Sequence, residues 1–231
     1  MRIEEKPEIA RLPLFRDMDD ARREDIFSGS FLQVFPAQLT LFEAGQQADF
    51  LHVLVDGLIE LYVPGTARDT TIQLIEPVKS FILAAAVNDM PYLMSARTLT
   101  SSRVLLVPAA RIRGAIKEDA ALMQATMTKL ALGYRDMVRA LVDMKIRQSA
   151  ERLGNYLLGY SAKHGDAWQF ELSGEKRVLA SLLGMTPENL SRAFGTLKQH
   201  GVNVVGARVR IEDREALTAF ARPDSVPADP N

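Results

Sequence analysis

Three polar side chains, Glu188, Ser191 and Arg192, fall in the first turns of a segment that the sequence predicts to be a helix. Arg can donate two hydrogen bonds to guanine, Glu can accept one from the amino group of cytosine, and Ser can bond to either kind of partner. Side chains with this chemistry read the edges of base pairs in the major groove. The three residues therefore predict direct contact with DNA.

Thr186 and Pro187 mark the start of this helix. Thr is a good N-cap, and Pro suits the first helical position because its missing N–H costs nothing there. One face of the helix is predicted to be buried because apolar residues recur at helical spacing, at Leu190, Ala193, Phe194 and Leu197. The polar side adds further candidates for contact with DNA, namely Lys198, Gln199 and Thr186 itself.

A shorter helix is predicted just before, from Lys176 to Leu183, with a turn at Gly184, Met185 and Thr186. Two helices joined by a turn of this length have helix-turn-helix spacing. On spacing alone, an ordinary helical hairpin with solvated polar residues is the alternative.

Two short apolar runs, 202–205 and 208–211, flank Gly206 and predict a β-hairpin. Arg208 and Arg210 alternate with Val209 and Ile211, so one face of the second strand is basic and can lie along DNA phosphates. Solvated strand arginines are the alternative. The hairpin and the two helices together predict a winged helix-turn-helix.

Composition limits the other possibilities. The 231 residues are 47% apolar and 25% charged, as in a folded protein. The chain has no cysteine, which excludes an iron–sulfur cluster held by cysteines. It also has no apolar run of membrane-spanning length and no signal-peptide pattern, so we predict a cytoplasmic protein without a membrane partner. Residues 146–222 carry eleven Lys and Arg against eight Asp and Glu, a balance that suits DNA.

A period-two pattern extends from about Phe31 to Pro108 and predicts an antiparallel β-roll, resembling a jelly roll. A helical lead-in is predicted over residues 7–28 and a short helix over 109–117. The predicted strands are 31–35, 39–42, 50–55, 59–63, 71–75, 81–83, 95–99 and 104–107.

A coiled-coil seam of about three heptads is predicted between the roll and the helix-turn-helix. Its positions are Met123, Met127, Leu130, Tyr134, Met137, Leu141 and Met144. We expect residues from Met127 to Met144 in this series to form a homodimer interface, which would place two DNA readers on a palindrome with half-sites about one helical turn apart. A single amphipathic helix packed on its own domain is the alternative.

The predicted fold class is therefore α+β, with an N-terminal roll, a long dimerisation helix and a C-terminal winged helix-turn-helix. The predicted domains are a sensor at 1–117, a dimerisation helix at 118–146 and a DNA-binding domain at 147–222. The Pro-rich tail, 223–231, is predicted to be disordered.

This order of elements resembles the CRP/FNR family of bacterial transcription regulators over nearly the whole chain. Phe42-Glu43-Ala44-Gly45, Ala48 and Leu54-Val55-Asp56-Gly57 are similar to the roll signature of the family. Glu188, Ser191 and Arg192 match the FNR recognition pattern. The resemblance implies a TTGAT-type half-site, with Arg192 on guanine and Glu188 on the paired cytosine, and RNA polymerase as a partner.

The effector is expected not to be a cyclic nucleotide. In cyclic-nucleotide binders of the family, a glutamate holds the ribose and an Arg-Ser pair holds the phosphate, whereas Ala84 and Met94 stand at the first two positions and only Ser95 remains. We expect an apolar effector pocket instead. Its candidate lining residues are Phe81, Leu83, Met90, Tyr92, Leu93, Met94 and Met137.

Among relatives without cysteine, the chain most resembles the NnrR/DNR regulators of denitrification, which implies nitric oxide sensing through haem. His52 is the candidate haem ligand, since it lies in a roll strand, whereas His164 is expected to be solvated and His200 to cap a helix. The effector is expected to change the angle of the DNA domains at a hinge near 145–148.

Other functional classes fit less well. An enzyme is not predicted, because the sequence shows no nucleophile–base pairing, metal cluster or phosphate loop. The main alternative is an architectural DNA-binding protein that needs no effector and has a fully packed roll.

Overall fold

The computed structural model describes residues 6–223. It divides into two compact units, Met1–Tyr134 and Arg135–Asn231, which are described separately. The predicted disordered tail lies outside the described residues from position 224 onward.

The first unit opens with two short helices, α1 (Lys6–Ala10) and α2 (Asp20–Ser28), joined by turns. The carboxylate of Asp19 caps α2, since it accepts hydrogen bonds from the backbone N–H groups of Ala21 and Arg22 at 3.1 Å. The predicted helical lead-in is thus two helices with a non-helical stretch between them.

Eight strands follow, the number that the sequence predicts. They are β1 (Phe31–Phe35), β2 (Thr40–Phe42), β3 (Phe50–Asp56), β4 (Ile59–Val63), β5 (Thr70–Ile75), β6 (Lys79–Phe81), β7 (Ser95–Thr98) and β8 (Ser102–Pro108). They form two four-stranded sheets with the orders β1-β8-β3-β6 and β2-β7-β4-β5, and every pairing is antiparallel. This is the predicted β-roll.

The strand predicted at 81–83 is wrong. Phe81 ends β6 by pairing with His52, and Leu83 begins a helix, α3 (Leu83–Asn88). A short apolar run fits either a strand or a buried helical turn, so its spacing alone could not decide between them.

Two apolar cores stabilise this unit. One lies between the two sheets and includes Phe42, Leu61, Phe81 and Tyr92. The other joins α1, α2 and α3 to the outer side of the β3–β8 sheet and to two further helices, α4 (Ala109–Glu118) and α5 (Ala120–Ile146). The short helix predicted at 109–117 corresponds to α4.

The second unit begins with the last turns of α5 and continues through α6 (Ser149–Lys163), β9 (Gln169–Glu171), α7 (Lys176–Leu182) and α8 (Pro187–Lys198). It ends with β10 (Val202–Val205), β11 (Arg208–Ile211) and α9 (Arg214–Ala221). The strand order is β10-β11-β9. The predicted helix-turn-helix and hairpin are confirmed, while α6, β9 and α9 have no counterpart in the sequence prediction.

None of the helices described within residues 6–223 is long and apolar enough to cross a membrane. Across the same residues, His, Asp and Glu side chains form no group of three or more that could hold a metal ion.

Candidate nucleic-acid interface

Helix α8 begins where the sequence predicts. The Thr186 hydroxyl accepts a hydrogen bond from the backbone N–H of Asn189 at 3.2 Å, and Pro187 occupies the first turn. Leu190, Ala193 and Leu197 are buried, and Phe194 packs against the same core. The apolar face therefore fixes the rotation of α8 and directs its polar residues outward.

The turn between α7 and α8 depends on Gly184. Its φ of +64° lies in the left-handed region, which glycine adopts without the steric cost that a Cβ imposes. Leu183 and Met185 on either side are buried. The turn is thus both conformationally fixed and anchored in the core.

The three predicted base-reading side chains lie together on the outer face of α8. Glu188, Ser191 and Arg192 are exposed. The Ser191 hydroxyl donates to the carbonyl of Pro187 at 3.0 Å, and Nη2 of Arg192 donates to Oδ1 of Asn189 at 2.8 Å. Lys198 and Gln199 are exposed at the far end of the helix, while Thr186 is half-buried because it serves as the cap.

The sequence interpretation did not include Asn189. The signal was present, because residues 189 and 192 are separated by three positions and side chains at that spacing on a helix are neighbours. Asn189 is one of the two residues between Glu188 and Ser191 in the matched motif, which gives it no role of its own.

The wing shows the predicted alternation. Val209 and Ile211 are buried, whereas Arg208 and Arg210 are exposed. Arg208 forms an ion pair with Glu171 at 3.3 Å, and Arg210 lies 3.9 Å from Glu212. Exposed ion pairs contribute little, so both guanidinium groups can exchange these partners for phosphates.

Arg147 forms a buried polar cluster in the segment between α5 and α6. Its side chain is 4% exposed, bonds to Asp143 at 2.6 Å and also donates to the carbonyl of Ala221, at the end of α9. Arg152 donates to the carbonyls of Arg147 at 2.7 Å and Leu183 at 3.0 Å. The predicted hinge region is therefore bonded to α9 and to the end of α7.

The predicted dimer seam is largely exposed in the single chain. Tyr134 is 72% exposed, and Met127, Met137, Leu141 and Met144 are also open to solvent. Leu130 differs, because it is half-buried against the core of the first unit. A helix with this much exposed apolar surface has a face suited to a partner.

The residues predicted to line an effector pocket differ widely in burial. Phe81 and Tyr92 are buried in the core between the sheets, with Met94 partly buried against it. Leu83 is buried in the other core, and Met90 and Leu93 are exposed. Met137 is an exposed residue of α5 in the second unit.

His52 lies among three aromatic rings in the roll. Its ring centroid is 4.9 Å from that of Phe42, 5.3 Å from that of Phe81 and 6.1 Å from that of Tyr92. Its Nδ1 is buried without a hydrogen-bond partner. Burial lowers the pKa of His52 from 6.5 to about 4, since desolvation disfavours the charged imidazole.

Aromatic rings pack closely around His52, the predicted haem ligand. The unpartnered Nδ1 is chemically suited to bind iron, but Phe42 stacks on Tyr92 with ring centroids 3.9 Å apart, and these rings occupy the space beside the imidazole. A planar cofactor needs an open slot there. The aromatic residues instead fill the interior of the roll.

We predict that His52 makes the stability of the first unit depend on pH. The unfolded state binds a proton between pH 6.5 and about 4 while the folded state does not, so stability falls as the pH is lowered through this range. Between pH 7 and pH 5, the free energy of unfolding should fall by about 2 kcal/mol more in wild type than in His52→Phe. Chemical denaturation at the two pH values measures the difference, and equal losses in the two proteins would contradict the prediction.

The polar groups near the expected cyclic-nucleotide site are already bonded. The Ser95 hydroxyl accepts from the backbone N–H of Ala44 at 3.0 Å. Arg97, two residues further on, bonds to Glu60 and Asp69, each at 2.7 Å, and its guanidinium lies 4.2 Å from the centre of the Tyr62 ring. The Arg97 guanidinium is thus held by two carboxylates, and the Ser95 hydroxyl oxygen is held by a backbone N–H.

A groove of about 500 Å³ is present elsewhere in the first unit. It lies between the turn at 12–17, the β3–β6 edge and the first half of α5, with Val53, Ser80 and Ala125 among its lining residues. None of the predicted pocket residues lines it.

The other two histidines pack on aromatic rings of the second unit. His164 is exposed, and its ring stacks on Tyr160 with centroids 4.2 Å apart. His200 stacks on Phe220 at 4.0 Å. His200 is predicted to cap α8, but the residue at the C-cap position is Gln199.

Two domain families match the chain in the order of its two units. Residues 32–119 match the cyclic nucleotide-binding domain family, and residues 151–220 match the Crp-like helix-turn-helix domain family. A roll followed by a winged helix-turn-helix defines a class of DNA-binding regulators. In this order of domains the chain resembles the CRP/FNR transcription regulators.

Named relatives show the same resemblance. The anaerobic regulatory protein of Pasteurella multocida is 25% identical over 185 residues, which cover 77% of this chain and 67% of the relative. The fumarate and nitrate reduction regulatory protein of Escherichia coli K12 is 24% identical over 190 residues, which cover 79% of this chain and 75% of the relative. The structure of FixK2 from Bradyrhizobium japonicum, 18% identical, has the same fold, with a TM-score of 0.75 over 86% of this chain and 99% of FixK2.

Proposed function

We propose that this regulator is a homodimer that reads a palindrome of TTGAT-type half-sites. The observation that carries the proposal is the outer face of α8, where Glu188, Ser191 and Arg192 are exposed side by side above a buried apolar face. Arg192 would bond to guanine, and Glu188 would accept from the paired cytosine. Arg208 and Arg210 of the wing would contact phosphates, as would Lys198.

The exposed seam of α5 supports a two-fold assembly. Two copies joined along this face would present two α8 helices to successive major grooves, which matches a palindrome with half-sites about one helical turn apart. We place the dimer interface at Met127, Leu130, Tyr134, Met137, Leu141 and Met144.

Arg192→Ala tests the reading of guanine. We expect a loss of about 1–3 kcal/mol on the cognate palindrome and little change on random DNA. Fluorescence anisotropy with both DNAs at several salt concentrations measures the effect. An equal loss on both DNAs would contradict the role of Arg192.

Arg208→Ala is the matched control, since it removes the same charge from the wing. It should weaken binding to both DNAs alike and lower the salt slope by about one. A selective loss on the palindrome would instead assign base reading to the wing.

Two proposals concern the roll. In the first, it senses nitric oxide through haem on His52, as the resemblance to the NnrR/DNR branch implies; the unpartnered Nδ1 favours this. In the second, the roll binds no ligand and the protein acts without an effector. The aromatic packing of Phe42, His52 and Tyr92 favours the second.

Reconstitution distinguishes these proposals. If the roll is packed, the Soret band of purified protein mixed with haem should be the same in wild type and His52→Phe. Nitric oxide should then leave DNA affinity unchanged. Cyclic AMP at millimolar concentration should also have no effect, because Ala84 and Met94 replace the residues that would hold it. A His52-dependent Soret band would support haem sensing, and an increase of more than about tenfold with cyclic AMP, or 1.4 kcal/mol of coupling, would contradict our interpretation of the roll.

The same proposal includes cytoplasmic location and contact with RNA polymerase. Both follow from action as a transcription regulator.

A further inference from the structure

The contact between Asn189 and Arg192 lies at the centre of the proposed DNA-reading surface. Asn189 is half-buried at the base of α8, where its backbone N–H also bonds to Thr186. Its Oδ1 accepts from Nη2 of Arg192 at 2.8 Å. A side chain anchored beside the helix cap thus holds the end of a long, exposed one.

The contact with Asn189 leaves other N–H donors of the Arg192 guanidinium available. A guanidinium group has five N–H donors and can present two bidentate edges, one formed by Nε and Nη2 and one by Nη1 and Nη2. Asn189 takes one hydrogen of Nη2, which belongs to one edge only. The other edge keeps both donors for the O6 and N7 acceptors of guanine.

We propose that Asn189 is a positioning residue for sequence recognition, which holds the Arg192 guanidinium so that a single bidentate edge faces guanine. The proposal rests on the proposed reading of guanine by Arg192. An arginine side chain loses much rotamer freedom when it is fixed on DNA, and a group that fixes it beforehand reduces that loss. Asn189 therefore contributes to discrimination at guanine without contacting that base.

The experiment compares Asn189→Ala, Asn189→Leu and Asn189→Asp with wild type on palindromes in which each base pair of one half-site is replaced in turn. Ala and Leu lack the acceptor, and both should lower the penalty for replacing guanine by about threefold to tenfold. Affinity for random DNA and the melting temperature should stay near the wild-type values.

Asn189→Asp separates positioning from affinity. Its carboxylate still accepts from Arg192, so the penalty for replacing guanine should be retained. The added negative charge lies near the DNA phosphates, and so affinity for every sequence should fall by a similar factor.

A double-mutant cycle with Arg192→Ala tests whether Asn189 acts through Arg192. In the Arg192→Ala background, Asn189→Ala should produce no further change in discrimination, because the group it positions is absent. A further loss there would contradict the positioning role.

The remaining outcomes separate this proposal from the one on which it rests. If wild type discriminates at guanine but Asn189→Ala keeps the full penalty, the positioning role is overturned alone. If Asn189→Ala instead lowers the penalty for replacing an adenine, Asn189 reads adenine directly, and the positioning role is overturned as well. If wild type itself shows no preference for guanine, the role of Arg192 and the role of Asn189 are both overturned.

Discussion

Replacing both Tyr134 and Leu141 with Glu should convert the dimer into monomers. The two side chains are 72% and 55% exposed in the single chain and lie one heptad apart in the proposed seam. In the dimer, each change would bury a carboxylate opposite its own copy, and an uncompensated buried charge costs about 3–5 kcal/mol. The dimer dissociation constant should therefore rise more than about 100-fold, as measured by analytical ultracentrifugation.

Gln124→Glu combined with Thr128→Glu is the matched control. Both residues are exposed on α5 and are not among the proposed interface residues, so two carboxylates are added to the same helix without replacing an apolar seam residue. This variant should remain dimeric and bind the palindrome. If the Tyr134 and Leu141 variant also remained dimeric, the seam would be wrongly assigned, and palindrome recognition would need another source of two-fold symmetry.

Arg147→Met should strongly destabilise the DNA-binding unit. Without the guanidinium, the described side-chain donor that remains to Asp143 is the amide of Asn155, at 2.9 Å. The buried carbonyl of Ala221 also loses the donor that Arg147 supplies. Breaking one side of a buried ion pair typically costs 3–5 kcal/mol, and the remaining bond of Asp143 places our expectation at about 3 kcal/mol. Trp168, the single tryptophan of the chain, lies in this unit and reports its unfolding in denaturant.

Arg177→Met provides the control for this prediction. Arg177 pairs with Glu175 in the same unit, but the two side chains are 62% and 60% exposed. Loss of an exposed pair should cost less than about 1 kcal/mol. Comparable losses in the two variants would show that burial of Arg147 adds no stability.

Local patterns predicted much of the DNA-binding unit. The start of α8 follows from Thr186 and Pro187, and its orientation follows from the spacing of Leu190, Ala193 and Leu197, because caps and amphipathic faces are encoded over a few residues. The strands of the roll follow from alternation for the same reason.

Features that depend on distant contacts could not be predicted in this way. Apolar type made Met90 and Leu93 candidates for a pocket, yet both are exposed. Arg147 has the sequence character of a surface residue, and its burial arises because the end of α9, 74 residues later in the chain, meets the end of α5. The aromatic packing around His52 likewise depends on which strands pair across the roll.

Binding to a palindrome of two inverted TTGAT half-sites about one helical turn apart is the most direct test of the central claim. Fluorescence anisotropy at fixed, near-physiological salt should show one dimer per palindrome and a preference of at least about 1,000-fold over a scrambled duplex. Replacing guanine in one half-site should cost about 1–3 kcal/mol in wild type and little in Arg192→Ala. Equal affinity for the palindrome and the scrambled duplex would contradict the proposed recognition.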